Sequence, residues 1–283
     1  MGPHACAAAV CKIRLRYAKR GKLRFTSHRD VARAFERAVR RSGLPMAYSQ
    51  GYHPHPKLSW VGAAPTGAAS EAEYAEIALV EHVDPQVICA ELDAALPDGL
   101  AVLEAVLAGP GGLAERIEAS AWRIEVRGWR GDVLQRAVQL LLAAPQLVVE
   151  RVTKDGRRSL DVRAALVSLE VGAPVSLKVG DCPMVLPATD QLSPCGILRA
   201  VVRQVSPAVR PDDVLSALGA VAGLPSSVLV KAIRTAQGRL DDDGGLVDPL
   251  AADRAFARTA LAPDGVERSD AGSGQHDVAG HTG

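Results

Sequence analysis

A chain of 283 residues, 48% hydrophobic and 23% charged, is long enough to bury two cores and too apolar to be disordered. No apolar run approaches the roughly 18 residues of a membrane span, residues 1–9 lack the charged-then-apolar layout of a signal peptide, and five irregularly spaced cysteines make no disulfide framework; a cytoplasmic protein without a membrane partner is expected. A formal net charge of +1 hides a division: Lys12 to Lys57 holds thirteen Lys or Arg against two acids, Asp30 and Glu36, whereas the remainder carries an excess of ten acids. Such segregation points to an anion partner for the basic part, or else to a solvated basic face neutralised by the rest of the chain.

In chain order, residues 10–17 alternate apolar and basic side chains, the pattern of a strand with one buried face. After a turn at 19–22, Ser27 and Asp30 form a capping box that opens a helix ending at Gly43, before Pro45. At about 100° per residue, Val31, Ala34, Phe35, Ala38 and Val39 share one side of it; Arg29, Arg33, Arg37, Arg40 and Arg41 share the other. A short strand (44–49), a loop from Gln50 to Lys57, and strands at 58–61 and 73–80 follow. A helix (85–96) and a strand (100–107) complete the order β-α-β-β-α-β, that of a ferredoxin-like sandwich.

Beyond a Gly/Pro-rich linker, strands are expected at 122–127, 147–153, 197–205 and 227–233, with helices at 132–143 and 212–218. Asp155-Gly156 reads as a hairpin turn, and 172–194 as an irregular insertion rich in Gly and Pro. The expected class is therefore α+β, with two ferredoxin-like halves of which the second is decorated. Its parts are a flexible N-terminus (1–9), a basic domain (10–108), a linker (109–118), a second α+β domain (119–236) and a disordered tail (237–283). The stretch from 248 onward is expected to be dispensable.

Lys22-Leu23-Arg24-Phe25-Thr26-Ser27-His28-Arg29-Asp30, continuing through Glu36-Arg37-Ala38 to Tyr48-Ser49-Gln50-Gly51-Tyr52-His53-Pro54-His55-Pro56-Lys57, resembles the radical-SAM-linked protein family, a bacterial domain of unknown function. Glu73-Tyr74 and Leu160-Asp161-Val162-Arg163 extend the resemblance over roughly residues 10–235. In many members of that family the domain is fused behind a radical-SAM enzyme. In others it stands alone, often encoded beside a ribonuclease of the E/G type, which is what the resemblance implies here. The chain itself has no Cys-x3-Cys-x2-Cys to hold a radical-SAM cluster, so any such chemistry would come from a partner.

Guanidinium groups stay charged and bind phosphate bidentately, which makes Arg29, Arg33, Arg37 and Arg40 candidate RNA contacts, with Arg14, Arg16, Arg24 and Lys57 extending the field. Prolines stiffen the loop that carries Tyr52, His53, His55 and Lys57, and such a loop suits stacking and hydrogen bonding to an unpaired base. His53 and His55 are alternatively structural, or metal ligands with His28 as a third. Asp30 is a capping residue, or a nucleophile by fold-level analogy to the tRNA pseudouridine synthases. Asp161 and Arg163 are candidates to pair with each other or with the first half. The expected role is a non-catalytic RNA-binding or substrate-presenting module, on tRNA or rRNA, with no metal or cofactor. The alternatives are an RNA-modifying enzyme with its site around Asp30, His53 and His55, and an adaptor for a radical-SAM enzyme.

Overall fold

The alternating segment near the start of the chain becomes the strand around which the first half is built. A computed structural model describes residues 8–129, 131–154, 156–172, 195–224 and 230–260. Strand β1 (Cys11–Lys19) lies between β4 (Leu100–Leu107) and β3 (Ala69–Leu79), antiparallel to both. Strand β2 (Leu58–Val61) pairs with the C-terminal part of β3. Helices α1 (His28–Ser42) and α2 (Pro85–Ala95) cover one face, where Ile13, Leu15 and Tyr17 meet Val31, Phe35, Val39, Ile88 and Leu92. Aromatics are few, and they are concentrated here: the Phe35 ring stands edge-on to Tyr17 at 4.8 Å and to Trp60 at 5.0 Å. The helix stops where Gly43 turns left-handed, at φ 67°, a conformation that costs other L-residues about 1–2 kcal/mol.

The second half comprises β5 (Ala119–Arg127), α3 (Gly131–Ala143), the hairpin β6 (Val148–Thr153) and β7 (Gly156–Asp161), α4 (Val162–Ala165), β8 (Leu166–Gly172), β9 (Cys195–Arg203), α5 (Pro211–Ala222), β10 (Val230–Leu240), β11 (Leu246–Val247) and α6 (Ala251–Ala260). Helices α3 and α5 seal a core of Trp122, Ile124, Leu134, Leu141, Leu198 and Leu218. The hairpin forms a small sheet of its own.

The two halves share one sheet, ordered β4-β1-β3-β10-β5-β9-β8, with β2 beside β3 and β11 beside β10. The join is a short parallel pairing, Ile233 with Ala69 and Arg234 with Ser70. The architecture is thus α+β, a nine-stranded mixed sheet with six helices among the described residues.

Two expected boundaries are corrected. Residues 109–118 are not a free linker: Leu113 and Ile117 are buried with Ala72, Tyr74, Val106 and Leu250 on the sheet face opposite α1. Residues 237–260 are not a disordered tail. Strand β10 runs to Leu240, and α6 docks through Asp253, whose carboxylate is fully buried between Arg14 and Arg116. Strand β8 was also not anticipated, and 44–49 supplies isolated bridges, Met46 to Leu79 and Tyr48 to Pro56, in place of a strand. The residues at 19–22 enter a 3-10 turn, Gly21–Phe25. Expectations for 1–7, Asp155, 173–194, 227–229 and 261–283 lie outside the described residues. Among those described, no helix is long and apolar enough to cross a membrane.

Candidate nucleic-acid interface

Helix α1 is amphipathic because its five buried residues recur at helical spacing, so every other position must face solvent. Arg29, Arg33, Arg37 and Arg40 are all exposed. Arg33 leans toward Asp30 at 3.8 Å across a solvated gap, where solvent screens the attraction. Arg41 departs from the stripe: it donates to the carbonyl of Ala95, the last residue of α2, a common use of a cation at a helix C-terminus.

Asp30 serves the helix. The Ser27 hydroxyl donates to its carboxylate at 2.7 Å, and the Asp30 amide donates back to Ser27 Oγ at 3.3 Å. That hydroxyl contact, aided by Arg33 and Arg29, holds the carboxyl below the usual carboxylate range. The Asp30 carboxylate is thereby engaged in capping α1 on an exposed turn.

Just before the helix, Arg24 lies over the ring of Phe25 at 4.4 Å, and Phe25 is 60% exposed. Sequence reasoning missed Phe25. The available signal was an aromatic placed between basic residues in a chain that is only 4% aromatic.

The Gln50–Lys57 loop is fastened at its base. The Ser49 amide donates to His55 O at 2.8 Å, His55 N to Ser49 Oγ at 3.0 Å, and Lys57 N to Ala47 O at 2.8 Å. Pro56 is buried, whereas Tyr52, His53, His55 and Lys57 point outward. Tyr52 is 95% exposed and stands edge-on to His53 at 5.1 Å. His28 instead packs against Trp60, ring to ring, at 5.5 Å. Among the described residues no three His, Cys, Asp or Glu side chains gather as metal ligands.

Four expected residues have other work. Arg14, on the sheet face opposite α1, is buried and bound to Glu76, Asp253 and the Gly111 carbonyl, so it is unavailable to RNA. A strand with both faces covered can bury a charge only against opposite charges. Asp161 accepts from the amides of Ala164 and Leu147, and Arg163 donates to Leu142 O. They neither pair with each other nor reach the first half. Arg16, which was to extend the field, donates to the Glu71 carbonyl.

No curated protein matches the chain. A crystal structure of an unknown protein from Galdieria sulphuraria aligns with 79% of this chain and 98% of its own, at 16% identity and a TM-score of 0.21, too low to equate the folds. The family model for DUF2344, described as uncharacterized protein conserved in bacteria, matches residues 12–211, a span that includes α1, the Tyr52 loop, the first core and most of the second. The chain belongs to the DUF2344 family of bacterial proteins.

Proposed function

We propose that this protein is a non-catalytic RNA-binding or substrate-presenting module that serves RNA modification or processing and grips phosphates through α1. The observation that carries this reading is the exposure of Arg29, Arg33, Arg37 and Arg40 on the face of α1 opposite its buried residues, a face that none of the described elements covers. Phosphate contacts of this kind position a nucleic acid without reading its sequence. The exposed rings of Phe25 and Tyr52 supply what an unpaired base needs for stacking. Structured RNA with single-stranded loops, such as tRNA or rRNA, suits both features. A radical-SAM enzyme or a ribonuclease of the E/G type is the class of protein partner that would use an RNA so held. Titration of tRNA against the full chain over a range of salt, with and without the α1 arginines, tests the reading.

We also propose that the halves are ferredoxin-like units. The order β4-β1-β3-β2 in one and β10-β5-β9-β8 in the other supports this, with α1 and α2 in the first half answering α3 and α5 in the second.

A further inference from the structure

Where the two halves join, a cleft of about 200 Å³ opens between the β2–β3 loop and the segment leading into α5. Among the described residues its lining includes three arginines, Arg203, Arg210 and Arg234, and no carboxylate. Arg234 is 4% exposed and is fixed from behind: it pairs with Glu73, donates through Nε to Ser70 Oγ at 3.3 Å, and lies 5.6 Å from the Trp122 ring. Gln237, 1% exposed, is held by the Ala72 carbonyl at 2.6 Å. Gly62 closes over it at φ +60°, where an added Cβ would sit 2.6 Å from Gln237 Oε1. A side chain at position 62 would therefore fill the wall of the cleft.

The rim is also built. Asp213 is occupied, accepting from the Arg210 amide at 2.7 Å and from Arg151 at 2.8 Å. Arg151 in turn donates to the Ala208 carbonyl. These bonds set the loop that carries Arg210. Arg203 and Arg210 are left exposed at the mouth.

We propose that this cleft is an oxyanion site that takes a single phosphate group of a nucleotide. Three guanidinium groups around one recess, Arg234 held in place and Arg203 and Arg210 exposed at its mouth, favour a dianion or a phosphodiester over any neutral ligand. The volume is below the roughly 300–1,000 Å³ of sites that enclose whole drug-sized ligands, so the phosphate enters and the rest of the nucleotide stays outside. The cleft shares no residue with α1, and its occupancy does not depend on RNA binding there. The β2–β3 loop does connect the two regions, since Gly67 N donates to Arg24 O at 2.8 Å.

The test is calorimetric titration of the full chain with adenosine 5′-monophosphate, inorganic phosphate and adenosine. Saturable binding of the first two and none of adenosine is expected. Arg203→Gln and Arg210→Gln, both at exposed positions, should each weaken binding about tenfold, as loss of a charge-assisted hydrogen bond does. Arg33→Gln/Arg37→Gln/Arg40→Gln should leave nucleotide binding intact, which separates this site from the α1 reading. Displacement of the nucleotide by a single-stranded RNA oligomer identifies the phosphate as that of a strand, and failure to displace it identifies a free nucleotide; either result keeps the phosphate site. Adenosine binding as well as its monophosphate, the absence of saturable binding at millimolar nucleotide, or undiminished affinity in folded Arg203→Gln/Arg210→Gln protein would overturn it.

Discussion

Arg14 and Asp253 are 239 positions apart in sequence, yet Nη1 of one lies 2.6 Å from Oδ1 of the other, and both side chains are buried. The second carboxylate oxygen of Asp253 binds Arg116 at 2.8 Å, and Oδ1 also accepts from the Gly109 amide at 2.8 Å. One carboxylate thus ties β1, the 109–116 segment and α6 together. Removing it takes from the buried Arg14 one of its two carboxylate partners, Glu76 remaining, and breaking one partner of a buried pair costs up to about 3–5 kcal/mol. Asp253→Ala should lower the melting temperature clearly, and truncation after Val247 should do at least as much because it also removes Leu250. Unchanged thermal stability of the truncated chain would show that α6 does not hold the fold.

The acid limb of stability should involve Glu76. Burial pushes its carboxyl up, but hydrogen bonds from Lys12 and Arg14 outweigh that and hold it below the ordinary glutamate value. A group whose pKa is depressed on folding stabilises the folded state above its unfolded pKa, about 4.3, and loses that contribution as pH falls through the folded value. Melting temperatures measured from about pH 6 to pH 3 should therefore fall less steeply for Glu76→Gln than for the parent. Superimposable pH profiles would contradict the assignment.

Phe35 is fully buried and touches both Tyr17 and Trp60 edge-on. Phe35→Ala should destabilise the first half by about 3–5 kcal/mol, measured by urea denaturation. A loss under about 1 kcal/mol would mean that the aromatic cluster is not the anchor of α1.

Metal is not expected to support the Tyr52 loop, whose geometry is set by Ser49, Ala47 and Pro56. Elemental analysis of untagged protein should find no stoichiometric zinc or iron. Metal that disappears in His53→Ala/His55→Ala would reverse this.

Local signals in the sequence were enough for α1, whose start, stop and buried face follow from Ser27, Gly43 and the spacing of five apolar residues. They were also enough for β2 and β4, which are short and bounded by turns. Long-range partnership was not legible. Arg14 read as a surface cation because nothing near it in sequence shows that α6 covers the second face of β1. The tail read as disordered because its apolar content is low; α6 is held largely by charge, through Asp253 and through Arg254 with Glu104 and Asp248. The cleft arginines come from the end of β9, the start of α5 and the middle of β10, so no short window of sequence brings all three together.

Stacking and phosphate binding can be separated at Tyr52. Its ring is free of the core, so Tyr52→Ala should leave folding intact and weaken RNA binding by about 1–3 kcal/mol, the usual value of one aromatic–base stack. The salt dependence should stay as in the parent. An unchanged affinity would remove the loop from the interface.

The most direct measurement is the slope of log affinity against log salt for tRNA, in the parent and in Arg33→Gln/Arg37→Gln/Arg40→Gln. Glutamine keeps helix propensity close to that of arginine, so α1 should survive, and circular dichroism checks that it does. Each arginine that no longer neutralises a phosphate should flatten the slope by about 0.7 to 0.9, so replacement of all three should flatten it by about 2 to 3 and weaken binding at low salt. If the folded variant binds tRNA as tightly as the parent, with the same slope, the arginine face of α1 is only solvated surface and the RNA-binding account is wrong.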